Sequence, residues 1–290
     1  MDVPVLLFRT VVLRPYVFLF LAVFLFAAQR LIGWRRTGFF FLITWLTAFA
    51  CEFSSTRTGI PFGWYHYTGS TVGQELYLSN VPFMDSLSFI FLLYASYCLA
   101  LFFLLPVHDV SIVERSASAR INLMALVLDS KVRVSVSVLG LSVLFFVFID
   151  MVIDPLALRG EQWFLGKIYY YPDPGIHFGV PVANYIGWAV VGLIALSSYF
   201  ILDRRLQSMS PESLANRPVT GDILLGCGLY YGVLLFNLAV TFWIGEALLG
   251  MTGVLIYLPI TALALLRLLN RFPGIGSPRH PEGAYPKRTS

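Results

Sequence analysis

Thr37-Gly-Phe-Phe-Phe-Leu-Ile-Thr-Trp-Leu-Thr-Ala-Phe-Ala-Cys51 runs directly into Glu52-Phe-Ser-Ser-Thr-Arg-Thr-Gly-Ile-Pro-Phe-Gly-Trp-Tyr-His-Tyr67. The first half carries no charge and reads as a membrane span. A carboxylate then stands where the span should be ending, followed by a Gly/Pro turn and an aromatic cluster with one imidazole. Aromatic residues at a membrane face are ordinary interfacial anchors. An acid at that depth is costly and marks a functional position by default.

Other apolar runs repeat the pattern along the chain. Of 290 residues, 58% are apolar and 12% charged, against about 25% charged in a soluble domain. Seven spans are expected: Tyr16–Ile32, Gly38–Cys51, Pro82–Leu105, Val134–Ile153, Val182–Leu202, Ile223–Gly245 and Gly250–Leu266. The fold class is therefore all-α, a polytopic membrane helix bundle. It forms one transmembrane domain over residues 1–270, with a disordered basic tail over 271–290. The second span is short at about 15 residues, against the roughly 20 a bilayer needs.

Seven crossings put Arg30, Arg35, Arg36, Arg115, Arg120, Lys131, Arg133, Arg204, Arg205, Arg217 and the basic residues from Arg267 onward on one side, 15 of the 20 Lys and Arg. The positive-inside rule makes that side cytoplasmic, with the N-terminus outside and the C-terminus inside. The first span reads as uncleaved, because cleavage would leave Arg30, Arg35 and Arg36 on the wrong side. Localisation is expected in the cell membrane, the cytoplasmic membrane if the source is bacterial.

Between the spans, residues 1–15 are expected at the interface. Ile121–Leu128 is expected as an amphipathic surface helix, and His108 in that loop as an ordinary polar residue. Asp150 and Asp154 are four apart and share a helix face. Pro155 disfavours helix at the residue before it, so Asp154 is expected to end or cap the fourth span. A faint internal echo links Gly59-Ile-Pro-Phe-Gly63 to Gly175-Ile-His-Phe-Gly179, and Val81-Pro82 with Asp85 to Val180-Pro181 with Asn184.

Acids thus collect at the outer ends of four spans: Glu52, Asp85, Asp150 with Asp154, and Glu246. Asn184 adds an amide. His66 and His177 lie in the loops above, and Trp64, Tyr65, Tyr67, Trp163, Tyr185 and Trp188 would wall a shared pocket. The bland reading is a set of separate solvated groups at loop edges. No GxGxxG loop, Walker loop or cysteine cluster appears, and the two histidines lack metal-site spacing. The lysines are Lys131, Lys167 and Lys287, none in the seventh span, which excludes a retinal Schiff base there. The charge, +4 and evenly spread, gives no nucleic-acid footprint.

Acids with aromatic walls suit carbocation chemistry on a lipid-soluble alkene. A carboxyl in an apolar pocket can hold its proton as general acid. Aromatic faces stabilise a cation by roughly 0.5–2 kcal/mol each, and a second carboxylate can orient water. In this reading Glu52 or Asp150 donates the proton, and Asp154 or Asp85 positions water. Trp64 and Trp188 face the cation, Asn184 joins the water network, and Tyr65, His66, Tyr67 and Trp163 bind substrate.

At these residues the chain resembles the integral-membrane carotenoid biosynthesis proteins, which include carotenoid 1,2-hydratases of the CruF type and bisanhydrobacterioruberin hydratases. The matching pieces are Glu52 with Thr58-Gly-Ile-Pro-Phe-Gly-Trp-Tyr-His-Tyr67, Val81-Pro82, Asp154-Pro155, Trp163 and Gly179-Val-Pro-Val-Ala-Asn-Tyr-Ile-Gly-Trp188. The resemblance covers roughly residues 40–270; His177 stands where an aromatic or small residue is expected. It implies hydration of the terminal isopropylidene group of an acyclic carotenoid, with no redox cofactor. The partners implied are a carotenoid from the lipid phase, water, the membrane and other carotenoid-pathway enzymes. Competing readings are a proton-coupled transporter, a non-catalytic lipid- or carotenoid-binding protein, and an isomerase of the same family.

Overall fold

The structure, a computed structural model, describes residues 2–113, 120–209 and 218–271. The tail expected to be disordered lies outside the described residues, apart from Arg271. In chain order come α1 (Val3–Leu13), α2 (Pro15–Ile32), α3 (Trp34–Thr58), β1 (His66–Tyr67), β2 (Tyr77–Leu78) and β3 (Val81–Pro82). Then follow α4 (Phe83–Leu104), β4 (Val107–Val113), β5 (Arg120–Leu126), α5 (Val136–Ala157), β6 (Tyr169–Tyr170), α6 (Val182–Met209), α7 (Thr220–Trp243) and α8 (Ala247–Arg271). Seven of these helices, α2 to α8, are long and apolar enough to cross a membrane. The chain is a multi-pass, all-α membrane bundle, as its hydropathy pattern indicates.

The bundle is built around α4. Phe89 to Phe102 is buried without a break, the pattern of a helix with apolar residues all round. Helices α3, α4, α5 and α6 close into a ring, each packed on the next, and α2 and α7 cover α4 from outside it. Lipid is as apolar as leucine, so the ring is held by close packing and interhelical polar contacts rather than by exclusion of water. Close packing is visible at Gly226 on α7, where a Cβ would lie 2.3 Å from Cys98 Sγ.

Buried ion pairs lock the two ends. At one end Arg14, between α1 and α2, reaches Glu75 (3.1 Å) and the Leu165 carbonyl (2.5 Å). At the far end Asp203 on α6 binds Arg36 (2.7 Å) and Arg133 (2.6 Å). Pairs this deep offset their desolvation only with good geometry; their effect here is to fix which helix ends meet.

Three local expectations change. The second span is not short: α3 runs 25 residues. Its buried residues Thr37, Phe40, Thr44, Ala48, Glu52 and Ser55 recur every three or four positions, so one helical stripe continues through Glu52. A hydropathy window stops at the first charge, whereas a helix that buries the charge does not. Asp154 does not end α5, because the helix continues through Pro155 to Ala157. Proline is tolerated in membrane helices where neighbours re-satisfy the backbone, and in the last turn of α5 the Pro155 carbonyl accepts from Arg159 (2.8 Å), which holds the helix end. The region read as a surface helix is instead β5, paired antiparallel with β4 from Val107↔Leu126 to Val113↔Arg120. Val107, Val110, Ile112 and Val113 are β-branched, which favours a strand. His108 lies in β4 and is exposed.

Candidate active site

The site forms where α3, α4, α5 and α6 reach the end capped by loops 59–82 and 158–181. Glu52 lies on the buried stripe of α3. Val-Pro pairs start both α4 and α6, so Asp85 and Asn184 are each the third residue of their helix. Asp150 and Asp154 project from successive turns of α5. The loops meet above them through β1 and β6, with Tyr67 opposite Tyr169.

Two turn features set the first loop. Gly59 ends α3 in the left-handed region (φ +74), and a Cβ there would lie 2.9 Å from the Trp64 indole nitrogen. Gly187 on α6 leaves room for Phe62, whose ring carbon would be 2.2 Å from a Cβ. The aromatic loop is thereby pressed into the ring of helices rather than left in solvent.

One cavity of about 130 Å³ is lined by Glu52, Asp85, Asp150 and Asp154 together. Tyr65, Tyr67, Trp163, Asn184 and Trp188 share it. The acids form two stations. On one side, Tyr67 Oη lies 2.7 Å from Asp85 Oδ2 and 3.3 Å from Glu52 Oε1, and the Ser86 hydroxyl donates to the other Glu52 oxygen. Tyr67 has one proton. That proton is shared between the Asp85 and Glu52 contacts, so the hydroxyl links the two carboxyls.

On the other side, Asn184 Nδ2 donates to Asp150 Oδ2 (2.7 Å) and Asp154 Oδ2 (3.0 Å). Tyr169 and Tyr171 also donate to Asp154, the latter at 2.7 Å. Asp154 thus accepts from three donors. Asp150 Oδ1 is buried and has no hydrogen-bond partner among the described residues, whereas both oxygens of Glu52 and of Asp154 are engaged. Burial first, then the neighbouring carboxylates, pushes the Tyr67, Tyr169 and Tyr171 phenols well above their usual range. These groups stay O–H donors across the neutral range.

The apolar wall beside Asp150 is aromatic. Trp188, one turn beyond Asn184, stacks on Phe89 at 4.3 Å between ring centroids and leans on Phe146 at 4.6 Å. Phe146 is one turn before Asp150 on α5.

Some expected members are elsewhere. Glu246 is paired with Arg159 (2.5 Å) and does not line the cavity, because the α7–α8 turn sits outside the ring. Trp64 is 52% exposed and covers Gly59, so it is not a wall of the cavity. His66 alternates outward with Tyr170, its partner in the strand pair. Tyr185 is behind the wall, 2.5 Å from His177 Nδ1; burial lowers the His177 pKa. Tyr169, Tyr171, Ser86, Phe89 and Asn237 were not among the sequence candidates. The Tyr169-Tyr-Tyr171 run did carry a signal, since strand alternation sends its first and third rings to one side.

Residues 10–259 match the carotenoid biosynthesis protein family. The chain belongs to that family. Among curated proteins it is 28% identical over 220 residues to the bisanhydrobacterioruberin hydratase of Haloarcula japonica. The match takes in 76% of this chain but only 62% of that relative, so the relative is substantially longer. No solved structure matches the chain. For this member of the carotenoid biosynthesis family, the cavity is the place where three buried acids, the partly buried Asp85 and an aromatic wall coincide.

Proposed function

We propose that this protein adds water across the terminal C=C of an acyclic carotenoid end group, as a hydro-lyase that uses no redox cofactor. The observation that carries the reading is Asp150, which lines the cavity beside an aromatic wall with one carboxyl oxygen unpartnered, across from a second acid station. The hydratase named among the relatives supports the same chemistry. The substrate comes from the lipid phase, and the host is the cell membrane.

In the first step the Asp150 carboxyl gives its proton to the less substituted alkene carbon, and the C=C π electrons form the new C–H bond. This leaves a tertiary cation at the neighbouring carbon. Phe89, backed by the stacked Trp188, faces that cation, an aromatic face contributing about 0.5–2 kcal/mol. A water held by the Glu52–Tyr67–Asp85 station attacks the cation, and its surplus proton passes to the ionised carboxylate there. Asp154, fixed by three donors, orients Asn184 and through it Asp150. The proton taken up by that station returns to Asp150 through water in the cavity, so the net change is alkene plus water to tertiary alcohol, with no electron transferred.

The direct test is expression in a cell that accumulates lycopene, with mass spectrometry of the pigments. A product heavier by one water, its oxygen taken from labelled water, is the expected result. No water addition to lycopene, longer acyclic carotenoids or one-end-cyclised ones would sink the reading. Tyr67→Phe is expected to lower turnover by about 10- to 100-fold, since it unlinks Glu52 from Asp85. An unchanged rate would remove Tyr67 from the water station.

The basic-residue bias argues that the cavity end faces outward. Gly69 turns at φ +69, where a side chain is strained, so the exposed neighbour Ser70 is the position to label. Ser70→Cys should react with an impermeant thiol reagent on intact cells, above the wild-type background. Reaction only after lysis would invert the topology.

A further inference from the structure

A carotenoid is far longer than this cavity, so its chain must leave the site somewhere. We infer, on the strength of the hydratase reading, that it does so through the aromatic seam between α2 and α7, and that this seam is the entrance from the lipid. Tyr16 and Phe20 on α2, Trp163 in the second loop and Phe236 on α7 all line the cavity. They also touch one another: Tyr16 stacks on Phe236 at 5.5 Å, Phe20 meets Phe236 at 5.8 Å, and Tyr16 meets Trp163 at 6.4 Å.

The decisive ring is Phe164. It is 53% exposed, yet it lies 5.5 Å from Tyr16, 4.8 Å from Trp163 and 6.3 Å from Phe236. Phe164 does not itself line the cavity, so it covers the lining rings from the outer surface. The flanking residues Leu19 and Leu235 are exposed at 63% and 62%, the expected state of a lipid-facing flank. The opposite wall differs. Phe62 and Trp188 are backed by the packed ring of α3 to α6 and are nearly fully buried. Gly232, one turn before Phe236 on α7, has open space where a Cβ would stand.

The chemistry of the seam fits a conjugated chain. Flat, polarisable rings stack along a polyene without asking for hydrogen bonds, and they part by side-chain rotation rather than by moving a helix. Tyr16 sits in the first turn of α2 and Phe236 two turns before the end of α7. The opening therefore lies near the edge of the bilayer, with the end group reaching inward to Asp150 and the rest of the chain in lipid.

The test blocks the seam reversibly. Phe236→Cys and Phe164→Cys are each assayed before and after attachment of a bulky benzyl group through a disulfide, with wild type treated in parallel. The substrates are an acyclic carotenoid and a short, water-dispersible isoprenoid carrying the same terminal isopropylidene. Labelling should slow the carotenoid by about tenfold or more while changing the short substrate little, and reduction should restore the rate. Equal loss on both substrates, or no loss on either, at both positions would overturn the entrance. Absence of water addition by the wild-type chain on every substrate would instead overturn the hydratase reading, and the entrance with it.

Discussion

Asp150→Asn is expected to reduce alcohol formation by about 10²–10⁴-fold, the range general acid catalysis supplies. The substitution keeps the shape of the side chain, and Asn184 Nδ2 can still donate to the new amide oxygen in place of Asp150 Oδ2. The protein should therefore reach the membrane in normal amount, which an immunoblot of the membrane fraction checks. The only property removed is the ability to surrender a proton from the buried, unpartnered Oδ1 position. Turnover within a few-fold of wild type, at equal protein level, would move the acid to another residue.

Glu52→Gln should lower alcohol formation by a similar factor, about 10²–10³-fold, for a different reason. The amide that replaces the Glu52 carboxyl can still accept from Ser86, but it cannot take or give a proton within the station that Tyr67 and Asp85 complete. Protonation by Asp150 then proceeds and water capture does not. The cation has one exit left: it returns a proton to Asp150 and becomes alkene again. In deuterated water the recovered carotenoid should gain deuterium at its terminal end group while little alcohol forms. Asp150→Asn should show neither exchange nor alcohol. If Glu52→Gln blocks exchange as completely as Asp150→Asn, Glu52 belongs to the protonation step and the two stations exchange roles.

The contrast between these variants depends on how the acids are partnered. Asp154 accepts three hydrogen bonds, Asp150 one. Residue types alone do not distinguish them: both are aspartates on one helix face, four apart, in an apolar run. What separates them is Tyr169 and Tyr171, carried in by a loop that enters the site because β6 pairs with β1. That pairing joins residues about a hundred positions apart, and no local pattern encodes it.

Much was decided by the sequence alone. Seven apolar runs, the second of them short, mark seven helices, because backbone groups in hydrocarbon must be satisfied within the segment itself. The rarity of charge in those runs singled out Glu52, Asp85, Asp150 and Asp154, because an acid at membrane depth is too costly to be incidental. That Asp150 and Asp154 share a face followed from helix periodicity. Tertiary structure decided the rest. Glu246 looked equivalent to the other acids, but the α7–α8 turn lies outside the α3–α6 ring and pairs it with Arg159. Trp64 and Tyr65 are neighbours in the chain, yet one covers Gly59 in solvent and the other lines the cavity. The length of α3 and the strand at Arg120–Leu126 were also beyond a hydropathy window, since each depends on a partner surface. The physical reason is common to all of these. Hydrophobicity and period fix what a segment is, whereas which side chains share a cavity depends on how helices pack and loops pair, through contacts between residues far apart in the chain.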